Sequence, residues 1–162
     1  MTREVYSITI VHKITQVSKI DAPTITHAFA ADKGHYGCVW KIYIEAEDPE
    51  GDMDRISVRV NQVGYGYYPT DWITIKPQHR KYLVGYLQWN TFSSKASYLP
   101  EWTKISVKIS IFNKAGDESN EVTIPFTFES GVKNQYQLPP PFNQGDIPRI
   151  GNIMVDLYYI GI

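Results

Sequence analysis

From Cys38 to Ala46 every second residue is small or apolar (Cys38, Trp40, Ile42, Ile44, Ala46), while Lys41, Glu45 and Glu47 lie in the other register. That period of two marks a strand with one face in a core. The pattern resumes with Ile56, Val58 and Val60 on one face and Arg55, Ser57, Arg59 and Asn61 on the other. Strands that bury one side suit an antiparallel sheet and not a doubly covered parallel one. Between them, Asp48-Pro49-Glu50-Gly51-Asp52 supplies a reversal: Pro presets φ, Gly tolerates positive φ, and Asp side chains bond nearby amides.

Around this pair the chain reads in order. Tyr6, Ile8, Ile10 and Ile14 alternate with Ser7, Thr9 and Lys13 in a first strand. Residues 20–25 form a lead-in with Pro23 at a strand start or edge, and residues 31–37 a loop. The middle, 63–97, is broken by Gly64, Gly66 and Pro69. It contains a short strand at 72–75 and a longer one at 81–92. The longer one sets Tyr82, Val84 and Tyr86 against Leu83, Leu87 and Trp89, so its inward face is undecided. Ile105, Val107, Ile109 and Ile111 then alternate with Lys104, Ser106, Lys108 and Ser110. A loop at 113–120 leads to Val122, Ile124, Phe126 and Phe128, with Pro125 outward, as on an edge strand. No stretch shows a 3.6-residue apolar period, so the fold class is all-β.

The segments AEDPEGDMDRISVRV and KISVKISIFNKAGDESNEVTIPFTF resemble the B-to-C turn and the F-to-G hairpin of immunoglobulin-like and fibronectin type III-like sandwiches. The resemblance covers residues 20–130. It implies an antiparallel immunoglobulin-like β-sandwich with extended N- and C-terminal segments, and it carries no functional residue across. The chain departs from antibody domains in having no cysteine pair and in placing Trp40 on the B strand. The expected organisation is an N-terminal strand or arm at 1–19, the sandwich at 20–130, and a proline-rich spacer with an apolar C-terminal arm at 131–162.

Composition narrows the function. The 162 residues carry 16 Lys and Arg against 17 Asp and Glu, a net charge of −1 that exerts no bulk pull on nucleic acid. A lone cysteine, Cys38, allows neither an intrachain disulfide nor a multi-thiolate metal site, and it falls in the inward register as a small hydrophobe. The start lacks the parts of a secretory signal, and no window approaches the roughly 20 apolar residues of a membrane span. Localisation is therefore open, with a cytoplasmic place or one peripheral to a membrane complex favoured.

Catalytic chemistry is not visible. Counting an EF-hand from Asp48 puts Met53 and Arg59 where Gly and Glu belong, so an EF-hand fails; the acidic run Glu45 to Asp54 reads as a solvated turn, with a looser calcium site as the alternative. His12, His27, His35 and His79 are scattered, and there is no Gly-x-Ser-x-Gly elbow, Walker loop or dinucleotide pattern. We expect no enzyme activity, cofactor or metal.

Two features point to binding. The first is the aromatic set at 65–89 (Tyr65, Tyr67, Tyr68, Trp72, Tyr82, Tyr86, Trp89), which suits a carbohydrate-binding module or a protein partner. The second is the apolar end, residues 150–162 beyond Pro139-Pro140-Pro141, which must be covered by its own sandwich or by another chain. The reading adopted is a non-catalytic structural subunit that docks onto a larger protein assembly, a membrane-bound complex among the candidates. Its terminal arms would make the contacts: Tyr6, Ile8 and Ile10 at one end, and Phe142, Ile153, Val155, Leu157, Tyr158, Tyr159 and Ile160 at the other.

Overall fold

The computed structural model describes the backbone of residues 9–11 together with residues 21–133 and 135–161. Among the described residues the strands are β1 (Thr9–Val11), β2 (Thr24–Ala30), β3 (Lys33–Gly34), β4 (Val39–Glu47), β5 (Met53–Gln62), β6 (Gly66–Tyr67), β7 (Asp71–Thr74), β8 (Tyr82–Asn90), β9 (Thr103–Asn113), β10 (Val122–Phe128) and β11 (Arg149–Asn152). They build two sheets, in the orders β1-β2-β4-β8-β11 and β3-β10-β9-β5-β6, with β7 also on β5. Pairing is antiparallel except at two edges, where β11 joins β8 and β3 joins β10 in parallel. The central strands β2-β4-β8 facing β10-β9-β5 give the A-B-E and G-F-C layers of an immunoglobulin-like sandwich.

The alternating residues meet between the layers as expected. Ile42, Ile44 and Ala46 face Ile56, Val58 and Val60, joined by Leu83, Leu87 and Trp89 and by the inward residues of β9 and β10. The undecided strand β8 thus turns its Leu83, Leu87 and Trp89 side inward. The acidic turn carries the chain from β4 in one layer to β5 in the other. At Pro125 the missing N–H costs nothing. Thr127 N, two residues on and pointing the same way, donates to Asp32 O, away from β9, so Pro125 faces the open edge.

The C-terminal region corrects the expected spacer and arm. Residues 135–148 strap the outer face of the first sheet, where Phe29, Tyr43 and Phe142 form a second buried cluster with Val84, Tyr86, Leu138 and Ile147 against it. The chain then enters the open side of the sandwich, and Ile150, Ile153, Val155 and Leu157 join the main core. Phe142, Ile153, Val155 and Leu157 are therefore buried by their own chain and are not exposed docking residues. Close approach enforces the path at Gly85, where a Cβ would lie 2.4 Å from Ile150 Cγ1 and 2.8 Å from the Pro148 carbonyl oxygen.

Beyond β11 one backbone bond to β8 continues the pairing, and side chains hold the rest of the segment. Ile153 N donates to Gln88 O (2.9 Å), Met154 N to Asp71 Oδ2 (2.7 Å), and Tyr158 N to Tyr68 Oη (2.8 Å). In return, Trp89 Nε1 donates to Val155 O (3.1 Å), Ser93 Oγ to Leu157 O (2.7 Å), and Gln62 Nε2 to Tyr158 O (2.9 Å). A backbone entering a core must satisfy its polar groups, and here residues from both layers do so.

Candidate functional site

Two turns and the C-terminal end converge at one pole of the sandwich. The β5–β6 turn brings Val63 and Tyr65, the β8–β9 connection brings Tyr98 and Trp102, and the end brings Tyr158, Tyr159 and Ile160. Tyr65 stacks on Tyr68 with centroids 4.7 Å apart, and Tyr158 lies 5.2 Å from Tyr65. Tyr159 meets Tyr98 edge-on at 5.2 Å. Beside Tyr159 runs a groove of about 550 Å³, lined also by Val63, Glu101, Trp102, Lys104 and Ile160.

Trp102 is the residue that stands out at this pole. It has φ 63, and it alone among the described non-glycine residues has a positive φ. Thr103 N donates to Pro100 O (3.1 Å), which places Trp102 at the third position of a tight turn, where glycine or asparagine is usual. Its side chain is not compensated by burial, since Trp102 is 66% exposed. A left-handed conformation costs an ordinary residue roughly 1–2 kcal/mol, and only glycine escapes the penalty.

Several predicted site residues land elsewhere. Tyr6 and Ile8, and the side chain of Ile10, lie outside the described residues; the backbone of Ile10 pairs with Phe29. Of the C-terminal set, only Tyr158, Tyr159 and Ile160 reach the pole. The aromatic set at 65–89 does not form one platform. Tyr65 and Tyr68 belong to the pole, Tyr67 and Trp72 to the outer face of the second sheet, Tyr82 and Tyr86 to the outer face of the first, and Trp89 to the core. Tyr98 and Trp102 were not singled out from the sequence, although Pro100-Glu101-Trp102-Thr103 is a turn-like run with an unusually large residue at its tip.

The acidic turn also departs from expectation. Asp48 is not solvated: it is 1% exposed, its Oδ1 accepts from Glu50 N (3.1 Å), and its Oδ2 has no hydrogen-bond partner. Burial, then the neighbouring Asp52 carboxyl, raises its pKa to about 6 from an ordinary 3.8. The folded state therefore keeps a proton that the unfolded chain releases near pH 3.8. Stability falls as pH rises from about 4 to 6 and is level above that, a loss of up to about 3 kcal/mol. Asp48→Asn keeps the acceptor and supplies a permanent donor toward Asp52. Thermal melts should show the variant equal to the parent near pH 4 and more stable at pH 7; equal melting temperatures at pH 7 would refute the buried acid. Glu45 lies apart, bonded to Thr26 and Tyr82, and no three His, Cys, Asp or Glu side chains among the described residues gather as a metal site. No helix among the described residues is long and apolar enough to cross a membrane.

No family model matches the chain, and no curated protein matches it significantly. Among solved structures it is similar to the PKD domain of an M14-like peptidase from a Thermoplasmatales archaeon, at 16% identity over 67% of this chain and 94% of that one, with a TM-score of 0.38. It is also similar to a CARDB domain from Pyrococcus furiosus solved in complex with di-metal ions, at 11% identity over 70% of this chain and 99% of that one, with a TM-score of 0.33. By its own strand order the chain is an immunoglobulin-like β-sandwich with an aromatic pole and one strapped sheet; no described residue straps the other.

Proposed function

We propose that this protein is a non-catalytic interaction subunit that docks a protein partner of a larger assembly through the aromatic pole, with Trp102 as the central anchor. The observation that carries the reading is the exposed Trp102 indole on a left-handed turn. The turn could be made by glycine without this cost, so a tryptophan kept here is strain that side-chain burial does not repay, and such positions concentrate at functional sites. Tyr and Trp are the residues most enriched among binding hot spots, and this pole sets Tyr159, with Tyr98 edge-on to it, in the same groove as the tryptophan. The terminal arms expected from the sequence thus reduce, at the C-terminal end, to the three residues that remain at the surface.

The test is a pair of variants. Trp102→Gly relieves the positive φ and should raise stability by about 1 kcal/mol in denaturant unfolding while abolishing recovery of the partner captured by the parent protein. Tyr159→Ala should leave the fold intact and weaken the same capture about tenfold or more. Unchanged capture by both variants, or a Trp102→Gly protein less stable than the parent, would overturn the reading.

A further inference from the structure

The two outer faces of the sandwich are treated differently. The strap covers the first, whereas no described residue packs over the second, which β5, β7, β9 and β10 present to solvent. On that face the outward residues include five cations, Lys33, Arg55, Arg59, Lys104 and Lys108, against three acids, Glu118, Glu121 and Glu129, the last 3.6 Å from Lys33, in a chain whose net charge is −1. Glu121 is already shared, bonded to Arg59 and 3.9 Å from Lys108, and Glu118 accepts from Ser110.

Arg55 is different. Its guanidinium lies 4.2 Å from the Trp72 ring centroid and 5.6 Å from that of Phe112, and no carboxylate among the described residues pairs with it. Stacking holds the planar fork in place and leaves its edge N–H groups free, the arrangement that receives a carboxylate in a bidentate manner. Trp72 is itself 45% exposed and Tyr67, under Lys108 at 5.4 Å, is 51% exposed. Trp72 pairs across from Ser57 and Tyr67 from Asn61 on the same strand. Four residues of β5 separate the two rings, about 13 Å along the strand. Arg59 lies between them.

We infer that this face binds a linear acidic polysaccharide, its uronate carboxylate on the Arg55 fork and its sugar rings along Trp72, Arg59 and Tyr67. The inference is independent of the docking pole. The central strands β5 and β9, which carry the cations, have no free edge for an added peptide strand. β5 is flanked by β9 on one side and by β6 and β7 on the other, and β9 by β5 and β10. At the outer edge of β10, Pro125 removes a donor. What remains accessible is a flat surface of rings and cations, which suits a flat ligand carrying apolar faces and carboxylates.

The probe is polygalacturonate, assayed by affinity electrophoresis and by titration of Trp fluorescence at low salt. The parent protein should be retarded, and Arg55→Gln and Trp72→Ala should each weaken binding about tenfold or more, with both variants still unfolding in one cooperative transition. A methyl-esterified polymer should lose the interaction. Three results would each overturn the inference: no retardation of the parent protein, variants that bind like it, or polyglutamate binding as tightly as polygalacturonate, which would make an acidic polypeptide the occupant.

Discussion

A chain ending at Pro148 is expected not to fold. The missing segment carries Ile150, Ile153, Val155 and Leu157, all buried in the main core. Burying one such side chain contributes about 1.5–3 kcal/mol, so the four together account for roughly 6–12 kcal/mol. That is the size of the whole stability of an ordinary domain. Their loss also strips the acceptor from the Trp89 indole and opens the slot beside Ile73, on which Gly151 sits closely enough that a Cβ would lie 2.4 Å from Ile73 Cγ2. The shortened protein should show no cooperative thermal transition and should bind a dye for exposed apolar surface. A sharp transition near that of the full chain would mean that residues 149–162 are an appendage.

Phe142→Ala should be the most damaging single change in the strap. Phe142 is buried against Tyr43 (centroids 5.6 Å apart) in the cluster that closes the outer face of the first sheet. Phe→Ala in such a site costs about 3–5 kcal/mol, which for a chain of this length lowers the melting temperature by roughly 10 °C. Phe142→Leu, which leaves a smaller void, should lose far less. Urea unfolding of the two variants measures the difference. A loss below about 1 kcal/mol for the alanine variant would show that the strap lies on the sheet without holding it.

The same two regions show what the amino-acid pattern makes legible. Strands β4, β5, β9 and β10 follow from strict alternation because each has one buried and one solvated face, and the F-to-G hairpin is paired as the resemblance implies. Strand β8 resisted assignment because both its faces are covered: Leu83, Leu87 and Trp89 by the opposite sheet, and Val84 and Tyr86 by the strap. Phe29 and Tyr43 carry the same signal, large rings in the nominally polar register of β2 and β4. Read together they mark a second covered face. The proline-rich run supplies the cover, a role that a period-two pattern cannot reveal because the strap has no regular period of its own.

The pole was only half legible. An apolar end that needs covering is evident in residues 150–160, but alternation does not say whether the cover is intramolecular. The deciding groups are Gln62, Tyr68, Asp71, Trp89 and Ser93, polar side chains far away in sequence that bond the incoming backbone. Trp102 was hidden for another reason: its significance is a backbone dihedral, set by the turn at Pro100 and by the bond from its own N–H to Phe128 O (2.8 Å).

The core-closing segment follows in sequence every strand it packs between, which has a consequence for biosynthesis. While residues 149–157 are still inside the ribosome, the two layers already made have an unfilled seam beside Ile73 and Trp89, and the nascent polypeptide cannot complete its cooperative transition. Until residues 149–157 emerge, that apolar seam stays open to water and to other chains, so whatever shields it in that interval guards the yield.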